Sequence, residues 1–485
     1  MQIEQSLAHK NWNAIGVRPH HGINTPLFSL KSKNSCGIGE FLDLLPLIDW
    51  MHVIGFDIIQ LLPLNDSGID PSPYNAISAN ALNPIYISLH ALHGIPIADL
   101  QALNGLERID YAFILDTKLK LLKEHYQHNK ETFLKEEMHA FVKRFSWVKA
   151  YASYKALGNP DDEPFYIWLQ SIAYAQMHRV KEYAQTKDIF IKGDIPILVS
   201  PESIDVLTHS DIFDLSLEAG APPDYYNKEG QRWGFPLYKF EPQVITDFKF
   251  WKERLKSAEQ IFHLYRLDHI VGLFRLWGIP IGKKPREGNF MPEERHLWQQ
   301  RGETQLKMLL QSSSMLPVGE DLGTIPHETK ETMATLGIPG TKVIRWERDW
   351  KGDLSFIPYS SYPVNSMTTV STHDSDLLRE WWENHPEESS IFAQFKGWEF
   401  TPHLSLDKRL EILKDSHTTP SLLHINLFQE YLSLFPELDQ SDPKHSRINL
   451  PGTISPQNWS LRYRPSIEEI QDHGPLALLM RELTR

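Results

Sequence analysis

Three short apolar runs in this chain, each about the length of a buried strand, break off just before an acidic side chain. The runs cover residues 262–267, 315–318 and 367–370, and the acids that follow are Asp268, Glu320 and Asp374. In a (β/α)8 barrel, the catalytic groups lie on the C-terminal ends of several different strands, so acids that are far apart in sequence meet in one cleft. The pattern therefore predicts an α/β fold of this kind, a TIM barrel.

The three acids also indicate a chemistry. Carboxylates that are crowded together raise one another's pKa, which can leave one of them protonated near neutral pH. A protonated carboxyl opposite an ionised one, about 5 to 5.5 Å apart, is the pair that retaining cleavage of a glycosidic bond requires. At any single strand end the acid could instead cap a helix or pair with Lys or Arg. Its recurrence at three strand ends favours an active site.

The chain of 485 residues is longer than a typical single-core domain, but α/β barrels accept long insertions. We expect one catalytic barrel over residues 1–485 and no separate C-terminal β-sandwich domain. The helical pattern of 89–187 predicts an insertion, and 219–260 predicts a lid-like loop followed by a second helical insertion. Residues 377–485 are expected to form a helical C-terminal part packed on the barrel.

Local patterns predict individual elements. Helical apolar spacing marks residues 38–54, and the apolar runs 58–64 and 189–199 indicate strands. The Gly- and Pro-rich stretch 219–238 is too broken for regular structure, which is typical of a lid or an Ω-loop. Further helices are expected at 378–383, 406–413, 422–434 and 476–483. The loop after the strand at 58–64 contains Ser72 and Tyr74, and such loops face the active site of a barrel.

Composition excludes several classes of protein. A formal net charge of -13 argues against a nucleic-acid partner, whose binding depends on neutralising phosphates. Cys36 is the single cysteine, so neither an intrachain disulfide nor a multi-thiolate metal site is possible. We find no signal-peptide pattern and no apolar run of membrane-spanning length, so we expect a cytoplasmic protein without a membrane partner.

Longer motifs resemble a known family. RLDHIVGLFRLWGIP, GEDLG followed by LGIPGTKV, and STHDSD look like the three acid-bearing segments of the 4-α-glucanotransferases, also called amylomaltases or disproportionating enzymes. Further similar strings, in the same order, are PLFSLKSKNSCGIGEF, LLPLNDSGIDPSPYNAISANALNP, KGDIPILVS, EAGAPPDYYNKEGQRWGFPLY and RINLPGTISPQNWSLRYR. The resemblance covers most of the chain.

The resemblance implies roles for the acids. Asp268 would be the nucleophile, Glu320 the general acid and base, and Asp374 the third acid, which holds sugar hydroxyls. The substrates would be α-1,4-glucan donors, with glucose or maltooligosaccharides as acceptors, and no cofactor would be needed. Substrate contacts would come from Ser72, Tyr74, Asp194, Gln231, Trp233, Arg266, His269, Asp321 and His373. An alternative for Asp321 is that it caps the next helix.

Several alternatives remain open at this point. The same first chemical step would serve an α-glucan hydrolase, and a catalytically silent glucan-binding protein could keep the fold. A phosphate-binding barrel enzyme is a further alternative, although no Gly-rich phosphate loop precedes a helix where one is required. His269 and His373 raise a metal site as another alternative, but no closely spaced His or Glu partner accompanies them, and the resemblance implies no metal.

The chain also departs from the family pattern in the strand before Gln60, in the predicted lid, around THD, and after GIP. The departures are Ile59 for Trp, Tyr226 for Phe, Asn227 for Ser, Ser371 for Gly, Ser375 for Asn, and a segment 281–294 without the usual Trp-containing loop. These positions bear on donor length, lid behaviour and the formation of cyclic products. The three acids are unchanged.

Overall fold

The fold is a closed barrel of parallel strands surrounded by helices, with a small antiparallel sheet at its side. The structure, a computed structural model, describes residues 3–131, 135–223, 227–239, 248–350, 352–439 and 446–484. Eight parallel strands close the barrel in the order β1-β12-β11-β10-β9-β6-β3-β2. The predicted TIM barrel is confirmed.

Twelve strands occur among the described residues. They are β1 His20–Asn24, β2 Ile58–Gln60, β3 Phe190–Pro196, β4 Phe213–Ala221, β5 Gln231–Tyr238, β6 Leu264–Asp268, β7 Leu276–Pro280, β8 Asn289–Met291, β9 Leu316–Gly319, β10 Gly340–Val343, β11 Ser366–Thr369 and β12 Leu423–Leu427.

Helices cover the outside of the barrel. In the described part of the chain they are α1 His9–Asn13, α2 Leu44–Ile54, α3 Ala98–Gln101, α4 Tyr111–Asn129, α5 Lys135–Arg144, α6 Trp147–Lys155, α7 Glu163–Thr186, α8 Ile204–Thr208, α9 Lys249–Ala258, α10 Leu297–Ser312, α11 His327–Leu336, α12 Leu378–Asn384, α13 Pro386–Phe395, α14 Leu406–Thr418, α15 Phe428–Leu432, α16 Ile467–Asp472 and α17 Gly474–Leu483. None of these helices is long and apolar enough to cross a membrane.

The first predicted helix and strand are shorter than the sequence pattern suggested. Helix α2 begins at Leu44, after a short 3-10 turn, and ends at Ile54. The next residue, Gly55, caps it with a φ of 80°, a left-handed conformation that glycine adopts without strain. Strand β2 spans only Ile58–Gln60. The described residues between 89 and 187 contain helices α3 to α7 and no strand.

The predicted helix at 422–434 is wrong in its first half. Residues Leu423–Leu427 form β12, which pairs with β1 from His20 to Asn24 and closes the barrel. Only Phe428–Leu432 is helical there. All five residues of β12 are buried, and a continuously buried strand shows no alternation that would separate it from a buried helix. The C-terminal part at 377–485 therefore contributes a barrel strand as well as helices.

The prediction that residues 219–238 are irregular is also wrong. Most of this stretch belongs to β4 and β5, which pair antiparallel in a sheet with the order β5-β4-β7-β8. Its Gly and Pro residues are accommodated because β4 carries bulges and β5 is an edge strand. A side chain at Gly220 would collide with the backbone oxygen of Gln231. Residues 224–226 and 240–247, parts of the predicted lid and insertion, lie outside the described residues.

Candidate active site

Strand register brings the predicted site residues to one end of the barrel. On β3 and β6, Asp194 lies opposite Arg266, and Pro196 lies opposite Asp268. On the next strand, Gly319 lies opposite Leu267, so that Glu320 follows directly beside Asp268. Because all barrel strands are parallel, the loops after them open at the same C-terminal end.

A cleft of about 550 Å³ opens there. Its wall contains all three acids and most of the predicted substrate contacts: Asp268, Glu320, Asp374, Ser72, Tyr74, Gln231, Trp233, Arg266, His269 and His373. Asp194 and Asp321 are not part of the wall. The sequence pattern thus identifies residues of one cavity, and two of the predicted substrate contacts, Asp194 and Asp321, lie outside its wall.

Arg266 links the first acid to a buried carboxylate. Its Nη2 lies 2.7 Å from Asp268 Oδ1, and its Nη1 lies 3.0 and 2.9 Å from the two oxygens of Asp194. Asp194 is 1% exposed and also accepts a hydrogen bond of 2.8 Å from the Tyr74 hydroxyl. The guanidinium thus holds Asp268 and Asp194 through charge-assisted hydrogen bonds, which fix the position of the first acid.

Glu320 has the opposite environment. Burial raises the pKa of its carboxyl to about 7, with the Arg266 charge opposing this shift and the Asp268 charge adding to it. Its oxygens accept hydrogen bonds from the backbone N–H of His269 at 2.9 Å and of Leu322 at 3.1 Å. The sequence argument relied on repulsion between acids, whereas burial is the larger cause here. A proton on Glu320 near neutral pH is what a general acid needs.

Asp374 is held ionised in the same cleft. Burial opposes ionisation, but the neighbouring His373 and hydrogen bonds from His373 and Asn449 together lower the pKa of Asp374 to about 2. The Asn449 amide donates to Oδ1 at 2.7 Å, and His373 Nε2 lies 3.2 Å from Oδ2. Glu320 and Asp374 therefore differ in protonation state within one cleft, which suits them to different chemical tasks.

Aromatic rings form one wall of the cleft. The rings of Tyr74 and His373 stack with centroids 5.5 Å apart and an interplanar angle of 14°. The ring of Trp459 packs against both, with its centroid 5.5 Å from that of Tyr74 and 5.9 Å from that of His373. Its backbone φ of 62° is uncommon for a bulky residue, and such strain is concentrated at functional sites. Flat rings of this kind suit the faces of sugar rings.

His269 and the strand β5 form the other wall. Burial lowers the pKa of His269 to about 4, so its imidazole is neutral. The ring of Trp233 meets it edge to face at 4.8 Å, and Trp233 Nε1 donates to Gln231 Oε1 at 3.1 Å. A φ of 51° at His269 directs its N–H to Glu320. Ser72 lies nearby in the wall, its backbone N–H bound to Asp70.

Asp321 is placed differently from both sequence hypotheses. It is 7% exposed, accepts a hydrogen bond of 2.6 Å from the Thr341 N–H, and lies 3.8 Å from Lys342 Nζ. Helix α11 begins only at His327 with Pro326 before it, so the helix-cap alternative is wrong. Asp321 joins the end of β9 to β10 behind the cleft wall.

Sequence reasoning missed several wall residues: Asn24, Gln60, Phe235, Trp346, Asn449 and Trp459. Asn449 and Trp459 lie in the string RINLPGTISPQNW, which was noted as a motif but received no role. A polar residue within a recurring motif was the signal that could have identified Asn449. Among the described residues, no three His, Cys, Asp or Glu side chains form a group that could hold a metal ion.

Comparisons with known proteins agree with one another. The 4-alpha-glucanotransferase family matches residues 25–164 and 159–468. A 4-alpha-glucanotransferase of Chlamydia caviae is 43% identical, over 97% of this chain and 96% of its own length. Its counterpart in Thermus thermophilus is 29% identical, over 88% of this chain and 91% of its own. The amylomaltase of Streptococcus agalactiae, solved in complex with acarbose, has the same fold, with a TM-score of 0.82 at 24% identity over 96% of this chain and 99% of that one.

Proposed function

Because the chain belongs to the 4-alpha-glucanotransferase family and is an enzyme of that class, we propose that it transfers α-1,4-glucan segments with retention, through a covalent intermediate on Asp268. The donor would be a maltooligosaccharide, and the acceptor would be the 4-hydroxyl of glucose or of another glucan. The observation that carries the proposal is the pairing of Asp268, ion-paired at 2.7 Å with Arg266, and Glu320, whose pKa is raised to about 7, in one cleft.

In the first step, Asp268 attacks the anomeric carbon of the donor. The bond from this carbon to the glycosidic oxygen breaks, its electron pair goes to the oxygen, and Glu320 supplies the proton. The product is a glucosyl ester of Asp268 with inverted configuration. Glu320 can supply the proton because burial keeps it protonated near neutral pH.

In the second step, the acceptor hydroxyl attacks the same carbon. Its proton passes to Glu320, now a base, while the ester bond breaks and its electron pair returns to Asp268. Two inversions give retention of the α configuration, and both carboxyls return to their starting states. Asp374 and His373 would hold hydroxyls of the reacting ring and favour its distorted, positively charged transition state.

Transfer, as opposed to hydrolysis, requires the acceptor sugar to be held in place while free water is kept away. Aromatic rings support this requirement, since Tyr74, Trp233 and Trp459 line the same cleft as the acids. A second groove of about 630 Å³ shares Trp233, Phe235 and Trp459 with the cleft, which extends the space for a long glucan.

Incubation of the purified protein with maltotriose alone, followed by separation of products by length, tests the proposal. Transfer predicts glucose together with a ladder of longer maltooligosaccharides. Maltose and glucose with nothing longer would identify a hydrolase, and no change, also with longer donors, would indicate a glucan-binding protein. The Asp268→Asn protein is the control, since it should leave maltotriose intact.

A further inference from the structure

A lysine is buried inside the barrel, just behind the cleft wall. Lys192 is fully buried on β3, and its Nζ lies 2.8 Å from Gln60 Oε1 and 2.9 Å from Met367 Sδ. Gln60 and Met367 line the cleft, whereas Lys192 does not. The amine therefore reaches the substrate cavity only through these two side chains.

The strand register places Gln60 and Lys192 side by side in the barrel interior. Gln60 on β2 lies opposite Lys192 on β3 and opposite Asn24 on β1. The contact between Lys192 Nζ and Gln60 Oε1 therefore joins two adjacent barrel strands, β3 and β2, and does not involve a loop.

Burying an amine at this place costs desolvation free energy, which an ion pair or hydrogen bonds must offset. Among the described residues, no carboxylate lies within ion-pair distance of Lys192 Nζ. Burial, with the charge of Arg266 as the next cause, lowers the pKa of Lys192 to about 7. An apolar side chain would fill the same volume without this desolvation cost. The two hydrogen bonds are what the amine adds.

Those hydrogen bonds determine which way the Gln60 amide points. A glutamine carries an accepting oxygen and a donating NH2 group, and the thioether of Met367 can only accept. In its protonated form the amine can only donate, so the Gln60 oxygen faces Lys192. The Nε2 group then remains as the donor of this side chain at the cleft wall, and in the described part of the chain it makes no hydrogen bond.

We propose that Lys192 is a positioning residue that fixes the Gln60 amide, so that its Nε2 donates to a hydroxyl of the glucan bound in the cleft. Gln60 is then a specificity-determining residue for the ring that lies against β2. A donor with a fixed direction selects a sugar whose hydroxyl lone pair meets it. This inference rests on the proposed function, because it takes the ligand of the cleft to be a glucan.

The alternative is that Lys192 only supports the packing of the core. A double-mutant cycle separates the two explanations, because a residue that acts through Gln60 has no effect once the amide is gone. The variants are Gln60→Met, Lys192→Met and the double substitution. Ile58→Val is the matched control, since it removes one methyl group from the same strand one interior layer away from Gln60 and does not line the cleft.

The readouts are kcat and KM for transfer from maltotriose, and the dissociation constant for maltoheptaose measured by calorimetry. We expect about a tenfold loss of kcat/KM and of affinity for each single variant, the size of one lost hydrogen bond. The double variant should match Gln60→Met within about twofold, and Ile58→Val should match the wild type. The proposal would be overturned if the losses multiplied to about a hundredfold in the double variant. It would also be overturned if Gln60→Met kept the kcat/KM and the affinity of the wild type.

A variant with an intact core guards against misfolding of Lys192→Met. Gln60→Glu keeps the oxygen that accepts from Lys192 and removes the NH2 donor, so it should show the same loss of about tenfold. Wild-type affinity in Gln60→Glu would contradict the inference. The binding measurement needs no turnover, so a wild-type protein that binds maltoheptaose without transferring it would refute the proposed function alone. A protein that neither binds nor transfers would refute both.

Discussion

The two ends of the barrel bury ionisable side chains with opposite results. At the C-terminal end, burial raises the pKa of Glu320 to about 7, so this carboxyl keeps its proton. At the N-terminal end, where β1 and β12 begin, burial lowers the pKa of His21 to about 4, so this imidazole is neutral. In both places a low-dielectric environment disfavours the charged form. One cause therefore leaves an acid protonated and a base unprotonated.

The N-terminal end holds three imidazoles in contact. His21 Nδ1 lies 2.8 Å from His417 Nδ1, and the ring of His21 stacks on His424 at 4.9 Å. His417 Nε2 also lies 2.6 Å from the Tyr431 hydroxyl. Burial lowers the pKa of all three. This group joins β1 to β12, the two strands that close the barrel.

The imidazole group at the N-terminal end and the acids of the cleft differ in their counter-charges. In the cleft, Asp268 is paired with Arg266 at 2.7 Å. None of the three contacting imidazoles has a carboxylate within ion-pair distance in the described structure. We infer that the cleft is built to carry charge and the imidazole group to exclude it, so variants in the cleft should change activity and variants in the imidazole group should change stability.

The largest effect is expected for Asp268→Asn. Without the carboxylate no glucosyl ester can form, so kcat should fall by more than about a thousandfold. The fold should be retained, because the side chain is partly exposed in the cleft. Transfer assays together with thermal unfolding check both statements. Near-normal activity would refute the nucleophile assignment.

Glu320→Gln should have the next largest effect. It removes the proton donor, and we expect a loss of about a hundredfold to ten-thousandfold on natural glucans. Donors whose leaving group needs no proton should keep a much larger share of the first-step rate. The rates of donor cleavage on the two substrate types are the measurement, and equal losses on both would argue against the acid role.

The N-terminal end should make the protein sensitive to acid. The pKa of His21 is lower in the folded state than its unfolded value of 6.5, so the stabilisation is present above pH 6.5 and is lost as pH falls towards 4. For His21 alone this amounts to about 3 kcal/mol. His21→Phe should flatten the dependence of unfolding free energy on pH and leave activity at pH 7 unchanged. If the unfolding free energy of His21→Phe depended on pH as steeply as that of the wild type, the buried neutral imidazole would not be the source of the acid sensitivity.

Activity at the C-terminal end should depend on pH in the opposite direction, with a loss as pH rises. The pKa of Glu320 is about 7, and its protonated form acts in the first step, so activity should fall about tenfold per unit as pH rises above that value. A profile of kcat/KM against pH, recorded where the protein remains folded, measures this limb. A basic limb that persists in Glu320→Gln would assign it to another group.

The smallest effect is expected for Asn449→Ala. The amide donates to Asp374 at 2.7 Å, but Asp374 is 42% exposed, so water can replace part of the lost hydrogen bond. We expect about a fivefold loss of kcat/KM, with thermal unfolding unchanged. An unaltered kcat/KM would show that the Asn449 hydrogen bond does not position Asp374 for the reaction.

Much of the C-terminal end could be predicted from sequence because its information is local. Apolar runs ending in Asp268, Glu320 and Asp374 specify strands with acids at their ends, and the barrel topology then brings them together. Asn449 could not be located in this way, since it contacts Asp374 across 75 residues of chain.

The N-terminal end could not be predicted, because its contacts are almost entirely long-range. His21 and His417 are 396 residues apart, and neither lies in a motif. The last barrel strand was mistaken for a helix, since a continuously buried run such as Leu423–Leu427 lacks the alternation of a half-buried strand. Asp321 follows the same strand as Glu320 but lies behind the cleft wall. Which of two adjacent side chains faces the cleft depends on the direction of the backbone after the strand.

The most direct measurement of the central claim is to trap the covalent intermediate. Glu320→Gln, given a glucosyl donor with a good leaving group and no acceptor, should form the ester quickly and release it slowly, because the base of the second step is missing. Mass spectrometry of the digested protein should find the glucosyl unit on Asp268. An unmodified Asp268 with continued release of the leaving group, or a glucosyl unit on another residue, would contradict the account.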